Sequence, residues 1–191
     1  MMHIITGSAR GVRLDTLPGE NTRPTSERAK EAIFSMLQFD LAGRRVLDLF
    51  AGSGQMALEA LSRGAEQAVL VDAARAACTV IEKNAQKTKL ASRAKILNAD
   101  AARFLANYNG EAFHLVFLDP PYAAGLLPSV LSTLYEKGMI TPGGTVVAEC
   151  ADEADLFGGN AALASQYTVL KSKRYGVAHV FVLTPTERSN L

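Results

Sequence analysis

Val46-Leu47-Asp48-Leu49-Phe50-Ala51-Gly52-Ser53-Gly54 is the stretch from which the architecture of this 191-residue chain can be inferred. It begins as an apolar run typical of a buried strand and breaks at its glycines. Glycine permits positive φ and lets a ligand approach the main chain closely. Residues 55–63 then have a helical pattern, and the start of a helix presents free N–H groups and a positive dipole end. We expect a ligand site where this strand turns into this helix.

Strands and helices alternate from this stretch onward. Further strands are predicted at 68–72, 94–97, 114–118 and 145–150, and further helices at 74–87, at about 100–108 and at about 127–137. The segments around 167–173 and 177–183 are predicted to form a C-terminal hairpin. Repeated strand–helix units indicate an α/β fold with a mainly parallel sheet covered on both faces, and ligands bind at the carboxyl ends of such strands.

The first 40 residues stand apart from this alternation. Residues 2–14 are predicted to form two short strands around Gly7-Ser8. Pro24-Thr25-Ser26 then opens a helix whose apolar positions lie on one face. We therefore divide the chain into an N-terminal appendage of hairpin and helix, residues 1–40, and a main domain, residues 41–191.

Composition and charge exclude several classes of protein. The net charge is +1, so the chain as a whole is not an electrostatic clamp for nucleic acid, and any such contact must be a local patch. Cys78 and Cys150 lie far apart with no histidine cluster beside them, which argues against a disulfide framework or a metal site. No apolar run approaches the ~20 residues that span a bilayer. We expect a cytoplasmic protein with two reduced thiols, no metal and no membrane partner.

An acidic residue lies at or just after the end of each of the next two predicted strands. Asp72 ends the strand 68–72, where a carboxylate is suited to accept hydrogen bonds from ribose hydroxyls. Taken alone, Asp72 is about equally well explained as a solvated helix cap. Asp100 follows the third strand and could contact an adenine, but a plain N-cap explains it at least as well.

Residues Asp119-Pro120-Pro121-Tyr122, here called the elbow, follow the predicted strand 114–118. Two prolines cannot continue a sheet ladder, because they lack an N–H, and their φ angles are fixed. The chain therefore leaves the sheet as a rigid turn that holds a carboxylate, main-chain carbonyls and an aromatic ring. These groups suit a site that grips a flat nitrogenous ring and accepts hydrogen bonds from its amino group.

The motif Gly52-x-Gly54-x-x-Ala57 also matches the dinucleotide fingerprint, so a nicotinamide enzyme must be considered. Asp48 argues against it, because its charge is expected where a pyrophosphate would lie. A hydride-transfer site also has no need of the elbow. S-adenosylmethionine fits both features, since it has a ribose, an adenine, an ammonium and a sulfonium, and no phosphate.

Together these motifs resemble those of a class I S-adenosylmethionine-dependent methyltransferase that methylates amino groups. The resemblance is closer to the RsmD family, the bacterial 16S ribosomal RNA guanine-N2 methyltransferases. It rests on Gly11-x-Arg13-Leu14, Thr22-Arg23-Pro24-Thr25-x-x-Arg28, the stretch 48–54 and the stretch 58–64. It implies a Rossmann-like, seven-stranded, mostly parallel sheet with helices on both faces. One departure is Ala73-Ala74-Arg75, where family members often have a second acid before the arginine.

The resemblance also implies the ligands. They are S-adenosyl-L-methionine, its product S-adenosyl-L-homocysteine, and 16S ribosomal RNA or a small-subunit particle; the lack of an interface stripe favours a monomer. The residues assigned to the methyl donor are Arg23, Thr25, Asp48, Phe50, Ala51, Gly52, Gly54, Asp72, Asp100, Ala101 and Asp119. The candidates for RNA phosphates are Arg10, Arg13, Arg28, Lys171, Lys173 and Arg174. For any single one a solvated surface role is more common, and residues 171–174 could equally be a charged edge strand that blocks aggregation.

Catalysis is assigned by the same resemblance to Asp119, Pro120 and Tyr122. Asp119 would accept one N–H of the guanine amine and the Pro120 carbonyl the other, so that the nitrogen lone pair points at the methyl carbon. Tyr122 would stack on the ring, a contact worth ~1–3 kcal/mol per base. The base must leave its helix or loop to reach such a pocket. The structural alternatives are a cap on the Pro-Pro turn for Asp119 and a core or rim aromatic for Tyr122.

Three other functions stay open. Methylation of adenine N6 in DNA or of a protein glutamine uses similar chemistry, but those relatives more often have Asn where Asp119 stands. A non-enzymatic RNA-binding assembly factor could retain the fold, although the intact glycine loop and elbow argue against it. A nicotinamide oxidoreductase is disfavoured by Asp48 and by the elbow.

Overall fold

The structure, a computed structural model, describes residues 2–17, 24–37, 41–121 and 125–187, without the side chains of 24–29. Seven strands form one sheet in the order β3-β2-β1-β4-β5-β7-β6. Their bounds are Arg45–Asp48 (β1), Gln67–Asp72 (β2), Ala94–Asn98 (β3), Phe113–Leu118 (β4), Ile140–Cys150 (β5), Tyr167–Tyr175 (β6) and Ala178–Pro185 (β7). The first five strands pair in parallel, and β7 is antiparallel to both of its neighbours.

Helices cover both faces of the sheet, as the alternation of strands and helices predicts. Their bounds are Pro24–Leu37 (α1), Gln55–Ser62 (α2), Arg75–Lys87 (α3), Ala101–Asn107 (α4), Leu127–Glu136 (α5), Glu153–Phe157 (α6) and Ala161–Ala164 (α7). The first three helices pack on one face around Leu58 and Ile81, and the other four pack on the opposite face around Phe104 and Leu131. The sheet thus separates two hydrophobic cores.

The antiparallel strand β7 distinguishes this sheet from a dinucleotide-binding one. A Rossmann dinucleotide fold has the strand order 3-2-1-4-5-6. Here the C-terminal hairpin predicted from the sequence inserts β7 between β5 and β6, with Cys150 opposite His179. The strand order therefore argues against the nicotinamide alternative.

The N-terminal segment is less regular than the expected hairpin. His3 and Arg13 form a single antiparallel bridge, flanked by a hydrogen bond from Leu14 N to Met2 O at 3.0 Å. Ile4 N also donates to the carbonyl of Val12 at 3.0 Å, and the turn between the two arms has positive φ at Gly7 (+90°) and Gly11 (+81°). The segment is therefore a loop closed by a short antiparallel pairing, without two regular strands.

Two further elements differ from the expectations. β5 begins at Ile140, five residues before the expected strand 145–150, and this irregular start has a register shift against β4. The helices α6 and α7 have no counterpart in the expectations, because five and four residues are too few to show helical periodicity.

Cys78 and Cys150 are buried and form no disulfide. Burial raises the pKa of both thiols, to about 11 for Cys150, so both are protonated at neutral pH. Within the described ranges, no helix is long and apolar enough to cross a membrane. The same ranges contain no group of three or more histidine, cysteine, aspartate or glutamate side chains that could hold a metal ion.

Candidate active site

The carboxyl ends of the central strands bring three predicted acids to one edge of the sheet. Asp48 is the last residue of β1, Asp72 is the last residue of β2, and Asp119 follows β4 directly. Asp48 lies opposite Leu70 of β2 and Phe117 of β4, so the three strand ends are neighbours. Motifs far apart in the sequence therefore line one crevice.

The glycine loop, residues 51–54, connects β1 to α2 as predicted. Gly54 has a φ of +78°, and a Cβ at this position would lie 3.1 Å from Ile81 and 3.2 Å from Leu70. Gly52 has a φ of +53°, and a Cβ there would meet no protein atom within 4 Å. The loop is thus pressed against the core at Gly54 and open at Gly52, where a ligand can approach the main chain.

Asp72 holds the glycine loop in place. Its Oδ2 accepts a hydrogen bond from the Gly52 backbone nitrogen at 2.9 Å, and its Oδ1 accepts one from Ala74 at 2.8 Å. Asn98 supports the same corner, since its side-chain amide donates to the carbonyls of Asp72 and Ala73 at 3.0 and 2.9 Å. An ionised carboxylate offers about four acceptor sites, so this structural role is compatible with an additional bond to a ribose.

Asp48 is buried beneath the glycine loop. Its charge was expected in the open crevice where a pyrophosphate would lie, and this expected position is wrong. Its side chain is 3% exposed, and its Oδ2 accepts a hydrogen bond from Ala57 of α2 at 3.3 Å. Burial, together with the charge of nearby Asp72, raises the pKa of Asp48 from 3.8 to about 7. The group is therefore only partly ionised at neutral pH, and a cation bound nearby would favour its charged form.

Asp100 caps α4, as its structural interpretation predicts. Its Oδ1 accepts hydrogen bonds from the backbone nitrogens of Ala102 and Arg103 at 2.9 and 3.2 Å. Ala101 is buried and Phe50 is half-buried in the core beneath the same edge. These contacts do not test whether Asp100, Ala101 and Phe50 touch the methyl donor, so those roles stay predictions.

The elbow leaves β4 with alternating exposure. Asp119 and Pro121 are exposed, and Pro120 is buried. The two prolines line a small cleft of about 20 Å³ together with Cys150 and Ala151 at the end of β5. Asp119 is therefore accessible to a ligand in the crevice.

Other assigned residues are not tested by the structure. Tyr122 and Arg23 lie outside the described residues, and Thr25 and Arg28 lie in α1, where the first side chains are not described. Their roles in stacking, donor binding and RNA binding stay predictions.

Glu59 fastens the N-terminal segment to α2, a role that the sequence analysis did not find. It is fully buried and accepts hydrogen bonds from the backbone nitrogens of Ile5 at 2.7 Å and Thr6 at 3.0 Å. Arg63 donates to its Oε1 at 2.8 Å, and the ammonium of Lys30 in α1 lies 3.8 Å from its Oε2. Because α2 starts at the glycine loop, the appendage is attached to the helix that borders the site.

Asn84 makes a second connection of this kind. It is fully buried in α3, and its Oδ1 accepts a hydrogen bond from the Asp15 backbone nitrogen at 2.8 Å. Its Nδ2 donates to the carbonyls of Asp15 and Ser53 at 3.0 and 2.9 Å. Ser53 belongs to the glycine loop. The signal that could have found Asn84 is its place next to Ala85 and near Ile81 on the apolar face of α3, where an amide needs a partner.

Apart from Arg28, whose side chain is not described, the basic residues considered for RNA are exposed, and some also have internal contacts. Arg10 and Arg13 are exposed on the N-terminal segment. Lys171 in β6 donates to the carbonyl of Met36, near the end of α1, at 2.9 Å, so it has a structural role. RNA contacts stay predictions for the whole set.

The family model described as "Conserved hypothetical protein 95" matches residues 2–184 of the chain. The chain belongs to this family. Two similar proteins are named "Ribosomal RNA small subunit methyltransferase D". The protein from Escherichia coli (strain K12) is 36% identical over 155 residues, which cover 81% of this chain and 77% of that protein. The protein from Haemophilus influenzae is 33% identical over 178 residues, which cover 92% and 90%.

A solved structure supports the same assignment. The Escherichia coli protein yhhF matches with a TM-score of 0.84 at 31% identity, and the match covers 98% of this chain and 99% of that chain. The resemblance to the RsmD family is thereby confirmed. The expected Rossmann-like class I methyltransferase fold is confirmed as well, including the seven-stranded sheet.

Proposed function

We propose that this protein transfers a methyl group from S-adenosylmethionine to the exocyclic N2 amine of a guanine in bacterial 16S ribosomal RNA. The observation that supports this most strongly is the meeting of the glycine loop, Asp72 and Asp119 at one edge of the sheet. The loop and Asp72 suit a positively charged nucleoside without phosphate, and the exposed Asp119 can accept a hydrogen bond from an amino group. The names of the two relatives support small-subunit ribosomal RNA as the substrate that receives the methyl group.

The donor would bind against the open side of Gly52. Asp72 would accept hydrogen bonds from the ribose with the acceptor sites that its bonds to the loop leave over. The positive end of α2 would face the carboxylate of the methionine part. Asp48 lies behind this loop, and its ionised form would favour a cation over a pyrophosphate. The donor supplies a methyl group that its sulfonium already activates.

Asp119 and the Pro120 carbonyl would orient the guanine that receives the methyl group. The lone pair of guanine N2 is delocalised into the ring and is a weak nucleophile. Two acceptors that each hold one N–H turn this lone pair towards the methyl carbon, so positioning supplies much of the rate. The N–C bond forms as the S–C bond breaks, S-adenosylhomocysteine leaves, and the product nitrogen gives its extra proton to Asp119 or to water.

Aspartate at position 119 favours guanine over the alternative acceptors. In the related methylases of adenine N6 and of protein glutamine, asparagine is more common at this place. The side chain at position 119 thus distinguishes guanine from adenine and glutamine, which present the same kind of amino group to the methyl donor.

Transfer of labelled methyl groups to undermethylated small-subunit RNA or particles tests the proposal. The wild-type protein should label the RNA, and Asp119→Ala should abolish labelling. Glu66→Ala is the matched control, because it removes an exposed carboxylate directly before β2, at the opposite edge of the sheet, and should leave transfer unchanged. Undiminished transfer by Asp119→Ala would contradict the role of the elbow. RNA binding without any transfer by the wild type would favour the assembly-factor alternative.

A further inference from the structure

The end of the β6–β7 hairpin lies at the same edge of the sheet as the elbow. Leu118 of β4 is opposite Ala148 of β5, so Cys150 is roughly level with the elbow. Cys150 is opposite His179 of β7, which in turn is opposite Arg174 of β6. Three strand spacings of about 4.8 Å separate β4 from β6, so the hairpin ends about 14 Å to the side of the elbow.

Arg174 reaches back towards the elbow from this position. Its guanidinium donates to the carbonyl of Ala151 at 3.4 Å and lies 3.5 Å from Nδ1 of His179. Ala151 lines the same small cleft as Pro120 and Pro121. The hairpin and the elbow are therefore adjoining walls of one surface.

The hairpin end has the composition of a nucleic-acid contact. We define the hairpin tip as Lys173, Arg174 and Val177, which are all exposed. Residues 167–186 contain three cationic side chains and no acid, as the sequence shows. Val177 is 62% exposed, more than the other exposed large apolar side chains in the described part of the chain. The third cation, Lys171, is tied to α1, whereas Lys173 only lies over the ring of Tyr175, 5.5 Å from its centroid.

Acidic groups near Cys150, which also lies near Arg174, limit where a polyanion can pass. Glu149, Asp152 and Asp155 surround Cys150, and each helps to raise the pKa of its thiol, after the larger effect of burial. Asp152 and Asp155 cap the first turn of α6 with a reciprocal pair of hydrogen bonds. A phosphate backbone is therefore favoured over the hairpin tip and disfavoured over α6.

We propose that the hairpin tip binds the single-stranded RNA that flanks the target guanine. Lys173 and Arg174 contact phosphates, and Val177 packs against a neighbouring sugar or base. A base that is turned out of its helix leaves such flanking nucleotides at the rim of the pocket. This inference rests on the proposed function, because it names the surface on which the same substrate lies.

Direct binding of an unmethylated 16S RNA fragment, followed by fluorescence anisotropy, tests the hairpin tip. The double variant Lys173→Ala/Arg174→Ala should weaken RNA binding about tenfold and should reduce the salt dependence of log K by about 1.4, or about 0.7 for each phosphate contact. Val177→Ser should weaken binding about threefold without changing the salt dependence, since its contact is apolar. Binding of S-adenosylhomocysteine and thermal unfolding should match the wild type in both variants.

The matched control is Lys83→Ala/Lys95→Ala, which removes two exposed cations on α3 and β3, away from the hairpin. It should leave RNA binding unchanged. Unchanged affinity and salt dependence in the hairpin double variant would overturn the inference. So would weaker binding to assembled particles with unchanged binding to the RNA fragment, because the hairpin tip would then contact a protein. Tip-dependent RNA binding by a wild type that transfers no methyl group would support the inference and refute the proposed function.

Discussion

The Asp72 carboxylate and the Gly52 backbone nitrogen are joined by a 2.9 Å hydrogen bond across the candidate donor site. Strand β2 thereby fixes the shape of the loop between β1 and α2. The residue that would bind the ribose also shapes the surface that the donor touches, so its loss should affect donor recognition in two ways.

Asp72→Ala should weaken binding of S-adenosylhomocysteine at least tenfold. A hydrogen bond to a charged group is worth about 1.5–3 kcal/mol, and tenfold in affinity is about 1.4 kcal/mol. Isothermal titration calorimetry of the wild type, Asp72→Ala and the control Glu66→Ala measures the effect. Tighter binding of NADH than of S-adenosylhomocysteine by the wild type would refute the donor assignment.

Gly52→Ala should impair donor binding, and Gly43→Ala should not. Both glycines have positive φ, +53° and +68°, and at neither would a Cβ meet a protein atom within 4 Å. The backbone strain of the two variants is therefore similar, about 1–2 kcal/mol. Only at position 52 would the new methyl group enter the space of the proposed donor. Equal donor affinity of the two variants would show that no ligand approaches the chain at Gly52.

Stability should fall as the pH rises from about 4 to about 7, because the pKa of Asp48 is about 7 in the folded chain and 3.8 ordinarily. Between these values the folded state binds more protons than the unfolded state. Above both values neither state holds the proton, so this group no longer changes the stability with pH. The full contribution of this group is at most about 4 kcal/mol. Urea unfolding at several pH values should show this slope in the wild type and a flatter one in Asp48→Asn. A variant as pH-dependent as the wild type would contradict the assignment.

Donor binding should also depend on pH through Asp48. A cation favours the ionised carboxylate, so donor affinity should increase as the pH rises towards about 7 and stay level above it. Binding just below pH 7 should release up to one proton. Calorimetry in buffers of different ionisation enthalpy measures the released proton. The Asp48→Asn variant should release fewer protons, and an unchanged release would assign it to another group.

Asn84→Ala should destabilise the fold by about 3 kcal/mol and weaken donor binding. The change leaves the backbone nitrogen of Asp15 and the carbonyls of Asp15 and Ser53 without their side-chain partner, and an unsatisfied buried group costs about 1–3 kcal/mol. Asn107→Ala is the matched control, because that amide is exposed and bonds only within α4. Equal stability of the two variants in urea unfolding would contradict this role of Asn84.

Local signals explain which parts of the fold could be predicted from the sequence. Apolar runs that end at glycines or prolines are marked by neighbouring residues, so the strand β4, the glycine loop and the start of the elbow were predicted correctly. The C-terminal hairpin could be predicted from its pattern, but the insertion of β7 between β5 and β6 depends on pairing between distant strands and was not predicted.

Contacts between distant residues explain what the sequence did not show. Asp48 was expected in the open ligand crevice, but α2 packs over it, and such burial cannot be seen in a local pattern. Glu59 and Asn84 look like ordinary polar helix residues until the N-terminal segment reaches them. The nearness of Arg174 to the elbow likewise depends on the registers of three strand pairs.

Mass spectrometry of nucleosides from small-subunit ribosomal RNA is the most direct measurement of the proposed reaction. RNA from a strain without this protein should contain one N2-methylguanosine fewer than RNA from the parent strain. The wild-type gene should restore that residue, and a gene with Asp119→Ala should not. An unchanged N2-methylguanosine content in the deletion strain, or full restoration by Asp119→Ala, would contradict the account.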